Sequence, residues 1–231
     1  TAAGLASLVL TSTHNGTCLA VSDTVDIFIT KAPYVVAGTD QNICANDPLV
    51  ALNGIVAAGA TTGVWTTSGT GVFTPDTVTM NTIYHVTETD TASGSVLIVL
   101  TSTLNGQCFA ESDSITVTIS PEVHTEAGDN QTICASDRAV PLSGLIYGSS
   151  HTGFWTTTGT GTFSPNTTTL NAVYNASPAD TLIGSVTLTL HSTNSGVCSA
   201  VIDTMTITIG PGIYVSVGEN QVVCANNAAI A

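Results

Sequence analysis

The six cysteines, at positions 18, 44, 108, 134, 198 and 224 of 231 residues, are the side chains best able to do chemistry here. A thiol can bridge, bind zinc or act as a nucleophile, and spacing separates the cases. These fall into two series with a step of 90, Cys18/Cys108/Cys198 and Cys44/Cys134/Cys224. They are too spread for a zinc knuckle, and no Cys–His zinc spacing accompanies them. Regular cysteines in even number point to disulfides and an oxidising compartment.

The other reactive types give less. His14, His85, His124, His151 and His191, shifted by 90, meet Leu104, Asn175, Tyr34, Thr61 and Thr101, so none belongs to a repeated acid–base or metal site. No Ser/His/Asp order, HExxH or phosphate-binding loop is present, which leaves no catalytic residues to nominate. Asp23, Asp113 and Asp203 share one phase of the 90-residue step, and Asp90 and Asp180 share another. Caps on turns account for such carboxylates. A calcium ion at domain junctions, held by Asp40 or Asp129 with oxygens of the next domain, is the second reading, although no dense DxDxD cluster supports it.

Lys31 and Arg138 are the only basic residues against sixteen acidic ones, for a net charge of -14. That balance repels nucleic acid and anionic lipid, and no apolar run approaches the roughly 18 residues of a membrane-spanning helix. Val, Ile and Leu contribute heavily to a 43% hydrophobic content, enough to bury a core. The surface must then be built of Thr, Ser, Asn and Gly.

The elements that position these residues follow from the repeat. The segment TGVWTTSGTGVFTP returns as TGFWTTTGTGTFSP after 90 residues without a gap, and Trp65, Phe73 and Tyr84 return as Trp155, Phe163 and Tyr174. Period-2 alternation, as in Ser114-Ile-Thr-Val-Thr-Ile119, marks strands. In the first full copy they are expected near 34–37 (A), 48–54 (B), 62–67 (C), 71–74 (C′ or D), 82–87 (E), 94–103 (F) and 113–120 (G). The fold class is all-β: tandem immunoglobulin-like Greek-key β-sandwich repeats of 90 residues. Complete repeats are expected at 32–121 and 122–211. Residues 1–31 match the F and G strands of a repeat and 212–231 the start of another. Neither end piece can bury a core alone, so the natural chain is expected to continue past both. Trp65, Trp155, Tyr84 and Tyr174 are the expected core anchors.

The ordered blocks AGTDQNICAN, GVWTTSGTGVFTP, NTIYHVTETDTASGSVLIVLTST and SDSITVTI resemble the repeated immunoglobulin-like, PKD-like domains of giant Bacteroidetes cell-surface and gliding-motility adhesins. The resemblance covers the whole chain. It implies export by the type 9 secretion system, an extracellular or cell-surface location and a filament-forming or adhesive role. It also implies O-glycans on Asp-(Ser/Thr)-aliphatic or Met triplets, here at Thr24, Thr77, Thr91, Ser114, Thr181 and Thr204. A turn followed by a strand start produces the same triplets without glycans.

Three disulfide schemes respect the repeat, with spacings of 26, 64 and 154. In an immunoglobulin-type sandwich Cys44 precedes strand B and Cys108 follows strand F, at opposite ends of a strand of about 30 Å, while a disulfide needs Cα atoms within about 7 Å. That favours an inter-domain Cys44–Cys198 bond. Under that scheme Cys18, Cys108, Cys134 and Cys224 find partners outside these residues or stay unpaired; the intradomain pairs Cys44–Cys108 and Cys134–Cys198 are the alternative. The expected function is a structural or adhesive segment of an extracellular filament or stalk. Its partners are neighbouring repeats of the same chain, with other filaments or surface glycans beyond them. The alternative, a carbohydrate-binding module array of a secreted glycan-active protein, needs exposed aromatics, and aromatics make up only 5%. Short junctions with Pro121 and Pro211 add stiffness.

Overall fold

Alternating β-branched and hydroxyl residues put one side of each strand into a core and leave the other to water. The computed structural model of the chain describes residues 4–213, 215, 216, 218 and 220. Contacts divide it into two units, residues 1–122 with 195–199, and residues 123–194 with 200–231.

The first unit opens with an antiparallel hairpin of β1 (Gly4–Thr11) and β2 (Ser22–Ile29). There follow β3 (Pro33–Val36), β4 (Gln41–Cys44), β5 (Leu49–Asn53), β6 (Ile55–Ala58), β7 (Thr62–Thr67), β8 (Val72–Thr74) and β9 (Asn81–His85). A six-residue helix α1 (Glu88–Ser93) leads into β10 (Ser95–Thr103) and β11 (Ser112–Ser120). One sheet has the order β4-β11-β10-β7, the other β5-β9-β8, and β3 pairs with β6. This is the A′-G-F-C against B-E-D arrangement of an immunoglobulin-like sandwich. Val50, Leu52, Trp65, Tyr84, Val96, Ile98, Leu100, Ile115, Val117 and Ile119 fill the space between the sheets.

The second unit repeats the plan with β12 (His124–Glu126), β13 (Gln131–Cys134), β14 (Ala139–Pro141), β15 (Leu145–Tyr147), β16 (Thr152–Thr157), β17 (Thr162–Ser164), β18 (Val173–Asn175), α2 (Pro178–Ile183), β19 (Ser185–Thr193) and β20 (Ile202–Gly210). Its sheets run β13-β20-β19-β16 and β14-β18-β17, with β12 on β15.

Three features depart from the sequence reading. The expected strand A is followed by a second short strand, β4, which crosses to the opposite sheet and pairs in parallel with β11. The crossing turns at Gly38, whose φ of 117° is open to glycine and costly for other residues. Strand B is broken at Gly54 into β5, which pairs with β9, and β6, which pairs with β3. A Cβ at Gly54 would lie 2.6 Å from the Trp65 ring, so the break makes room for the indole. The E–F connections, read as loops, wind into α1 and α2, too short to carry a helical period. The beginning of a further repeat expected at 212–231 lies mostly outside the described residues.

Candidate functional site

The cysteines are positioned by the sheet register. β4 lies parallel to β11 with Ser120 opposite Cys44, and Ala45 N–H donates to Ser120 O at 2.9 Å. The strand therefore delivers Cys44 at the end of the A′-G pair. Cys198 sits in the turn between β19 and β20, where its N–H donates to Ser195 O at 3.0 Å. The two sulfurs are bonded, with Cα atoms 5.0 Å apart and a sequence separation of 154. Both residues are buried, at 5% and 6% exposure. The intradomain alternatives are not formed: Cys108 and Cys134 carry free thiols, as does Cys18, and Cys224 lies outside the described residues.

A second constellation recurs in each unit and was not legible as such in the sequence. Gly71 N–H donates to the Tyr84 hydroxyl at 2.9 Å, and that hydroxyl donates to Asp90 Oδ2 at 2.8 Å. Asp90 Oδ1 accepts from Thr70 N–H at 2.7 Å. Asp90 is also the N3 residue of a capping box on α1, with Thr87 as N-cap. The second unit repeats this with Tyr174 donating to Asp180 Oδ2 at 2.8 Å, Thr160 N–H donating to Oδ1 at 2.9 Å, and Ser177 as N-cap. Both Asp and both Tyr are buried. The Gly-Thr-Gly of the repeated motif follows from this. A Cβ on Gly69 would stand 2.5 Å from Asp90 Oδ1 and from the Tyr84 hydroxyl. Only backbone fits between Tyr and Asp.

Burial works to raise the Asp90 pKa, but the Thr70 N–H, the Tyr84 hydroxyl and the Thr87 donors outweigh it and hold the carboxyl below its ordinary value. Asp180 is held down in the same way, against burial, by Thr160, Ser177 and Tyr174. Burial, with the neighbouring carboxylate, pushes Tyr84 and Tyr174 up. A lowered acid bonded to a raised phenol is a structural clasp; neither group is poised to exchange protons near neutral pH. The recurrence of Tyr and Asp six residues apart in both repeats was the available signal.

Three further carboxylates act on the backbone. Asp113 Oδ2 accepts from Ala37 N–H and Asp203 Oδ2 from Ala127 N–H, both at 2.8 Å, fixing the crossing before β4 and its counterpart. Asp40 Oδ1 accepts from Thr116 N–H at 2.8 Å. Among the described residues no group of three His, Cys, Asp or Glu could hold a metal ion.

Trp65 and Trp155 are each 1% exposed and stand between the sheets, so neither is a platform for sugar. The Trp155 indole donates to Leu170 O at 3.0 Å, whereas that of Trp65 is buried without an acceptor among the described residues. Of the triplet hydroxyls, Thr24, Thr77, Ser114 and Thr204 are exposed. Thr91 and Thr181 are half-buried in α1 and α2, where Thr181 Oγ1 donates to Pro178 O at 2.7 Å. Among the histidines, His191 stacks on Phe154 with centroids 4.7 Å apart and bonds Thr156, an interaction of the second unit alone, since Thr101 and Val64 stand at those places in the first.

No family model matches the chain, and no curated protein matches it. Solved structures that align with it include immunoglobulin domains 1–5 of Sidekick-1, with 14% identity and a TM-score of 0.49 over 87% of this chain and 45% of that one. Titin domains I67–I69 in an E-to-A variant align with 14% identity and a TM-score of 0.49, over 79% of this chain and 67% of that one. Drosophila N-cadherin EC1–4 aligns with 11% identity and a TM-score of 0.44, over 82% of this chain and 52% of that one. The chain spans about half the length of the two Sidekick-1 structures it matches.

Proposed function

We propose that this chain is a structural or adhesive segment of an extracellular array of immunoglobulin-like domains. Repeats 32–121 and 122–211 are its domains, residues 1–31 are the closing strands of one repeat, and 212–231 open another. The observation that carries this is the Cys44–Cys198 bond, which starts in one 90-residue repeat and ends in the next. A cross-link from repeat to repeat serves an array under tension and has no use in a free-standing catalytic domain. The assembled polar groups agree, because Asp90 and Asp180 are spent on holding tyrosines and helix ends. An oxidising, extracellular location fits the bond and the Thr-rich surface. Following the resemblance to Bacteroidetes surface adhesins, the partners are neighbouring repeats of the same chain, and the exposed Thr24, Thr77, Ser114 and Thr204 carry O-glycans.

Electron microscopy of native material tests this: thin filaments support the reading, and globular particles contradict it. Intact-mass analysis of native protein is expected to exceed the bare polypeptide. A mass equal to the polypeptide removes the glycans from the account.

A further inference from the structure

Arg138 is one of two basic residues beside sixteen acidic ones, yet its exposed guanidinium bonds no carboxylate among the described residues. Its backbone is fixed, because Arg138 O accepts from Ala176 N–H at 2.9 Å where β14 begins beside β18. In the same sheet Asn175 of β18 lies between Ala139 of β14 and Thr162 of β17. Tyr174 points into the core, so alternation turns the Asn175 amide to the outer face, where Thr162 is exposed beside it.

Arg138, Thr162 and Asn175 line one cavity of about 370 Å³, together with Thr160 and Ser177. The Thr160 and Ser177 hydroxyls are bonded to each other at 2.6 Å. The guanidinium, the Asn175 amide and the Thr162 hydroxyl have no partner among the described residues. The only apolar residues lining the cavity are Gly161 and Ala176. The first repeat has Pro48, Val72 and His85 where the second has Arg138, Thr162 and Asn175, so it lacks both the cation and the amide. Thr70 and Val72 remain exposed there, Val72 at 62%, although the second sandwich follows in the chain. The exposure of this part of the sheet is therefore not a product of where the chain ends.

We propose that the pocket of Arg138, Thr162 and Asn175 binds an acidic sugar, a uronic acid unit of a polysaccharide. The guanidinium fork matches both oxygens of a carboxylate. The Asn175 amide and the Thr162 hydroxyl each donate and accept, as ring hydroxyls require. The volume lies within the range of small-molecule sites, but the lining is polar, so it suits a ligand that is polar on every side. With no aromatic ring in the lining, charge rather than stacking holds the sugar. An acidic peptide offers the carboxylate without the hydroxyls. The net charge of -14 does not forbid an anion here, because at physiological salt fields are screened beyond about 8 Å and local contacts decide.

The proposal goes beyond the filament reading and fails separately from it. The isotopically labelled full chain is titrated by NMR with a galacturonic acid trisaccharide at millimolar concentration, and in parallel with a neutral galactose trisaccharide and a tri-aspartate peptide. Amide shifts are expected with the acidic sugar at Thr160–Thr162 and Asn175–Ser177, and not at the equivalent Thr70–Val72 and His85–Thr87. Arg138→Ala is expected to weaken binding at least about tenfold, the loss of a charged hydrogen-bonded contact, with an unchanged urea midpoint because the side chain is exposed. Thr162→Val and Asn175→His, which install the residues of the first repeat, are each expected to weaken it as well. Absence of shifts, equal binding of the neutral sugar, binding indifferent to Arg138→Ala, or a tri-aspartate peptide that binds as tightly overturns the proposal, whatever electron microscopy shows of native filaments.

Discussion

Replacing Tyr84 by Phe removes one oxygen and leaves the ring packing intact. In the buried first-unit core that oxygen accepts from Gly71 N–H at 2.9 Å and donates to Asp90 Oδ2 at 2.8 Å. Its loss orphans the Gly71 amide, which costs about 1–3 kcal/mol. It also takes one donor from a buried carboxylate that keeps Thr87 N–H at 3.2 Å, which adds about 1–1.5 kcal/mol. The expected loss is about 2–4 kcal/mol, a large part of the stability of a domain of this size. Urea unfolding of the full chain reads it, with Tyr174→Phe as the same change in the other unit. Asp90→Asn is expected to cost at least as much, because either oxygen turned into NH2 faces a donor, Thr70 N–H on one side or Thr87 N–H and the Tyr84 hydroxyl on the other. A Tyr84→Phe midpoint that corresponds to less than about 0.5 kcal/mol refutes the clasp as a stabilising element.

Trp65→Ala is expected to cost about 3–5 kcal/mol through the cavity it leaves, measured by the same unfolding curve. Trp155→Phe should cost about 1 kcal/mol more than Trp65→Phe, since only the Trp155 indole gives up a hydrogen bond. Asp90 and Asp180 sit below their ordinary value of 3.8 in the fold, so their contribution is complete above that value and is lost as pH falls below it through their lower folded values. Thermal midpoints should drop steeply below about pH 4, and less so in Asp90→Asn. Tyr84 and Tyr174 are raised above 10.0, so their contribution is present below that pH and lost as pH rises beyond it. Cys44→Ser with Cys198→Ser opens a 154-residue closure, worth about 5 kcal/mol in the chain-entropy treatment, and calorimetry should show a lower midpoint.

The long alternating strands were legible because a period of two over eight or nine residues, as in β10 and β11, has no other solution. The 90-residue step made the second sandwich readable from the first. The short pieces were not. β4 and β6 are four residues each, set by a glycine crossing at Gly38 and by the bulk of Trp65 against Gly54, and neither cause appears in local periodicity. α1 and α2 are fixed by a cap and a buried tyrosine, which depend on tertiary contact. The cysteine series fixed three candidate pairings; strand length chose among them only once a sandwich was assumed. Of the aspartates read as turn caps, Asp90 and Asp180 do cap, on α1 and α2, whereas Asp113 and Asp203 hold the distant Ala37 and Ala127 N–H groups; those bonds, like the one from Asp90 to Tyr84, span separate elements and show only in the fold.

The account rests most on the Cys44–Cys198 bond, and the scarcity of basic residues makes it easy to test. Trypsin has two sites, after Lys31 and Arg138, giving fragments 1–31, 32–138 and 139–231. Native protein is alkylated, unfolded and digested without reductant. A bond between Cys44 and Cys198 holds 32–138 and 139–231 together as one species that reductant splits. Because a Cys134–Cys198 bond would hold the same fragments together, the linked species is cut again with chymotrypsin after Trp65, Phe73, Tyr84 and Phe109, which separates Cys44, Cys108 and Cys134, and is mapped by mass spectrometry. A peptide carrying Cys44 joined to one carrying Cys198 is expected, and Cys44 joined to Cys108 contradicts the repeat-to-repeat cross-link.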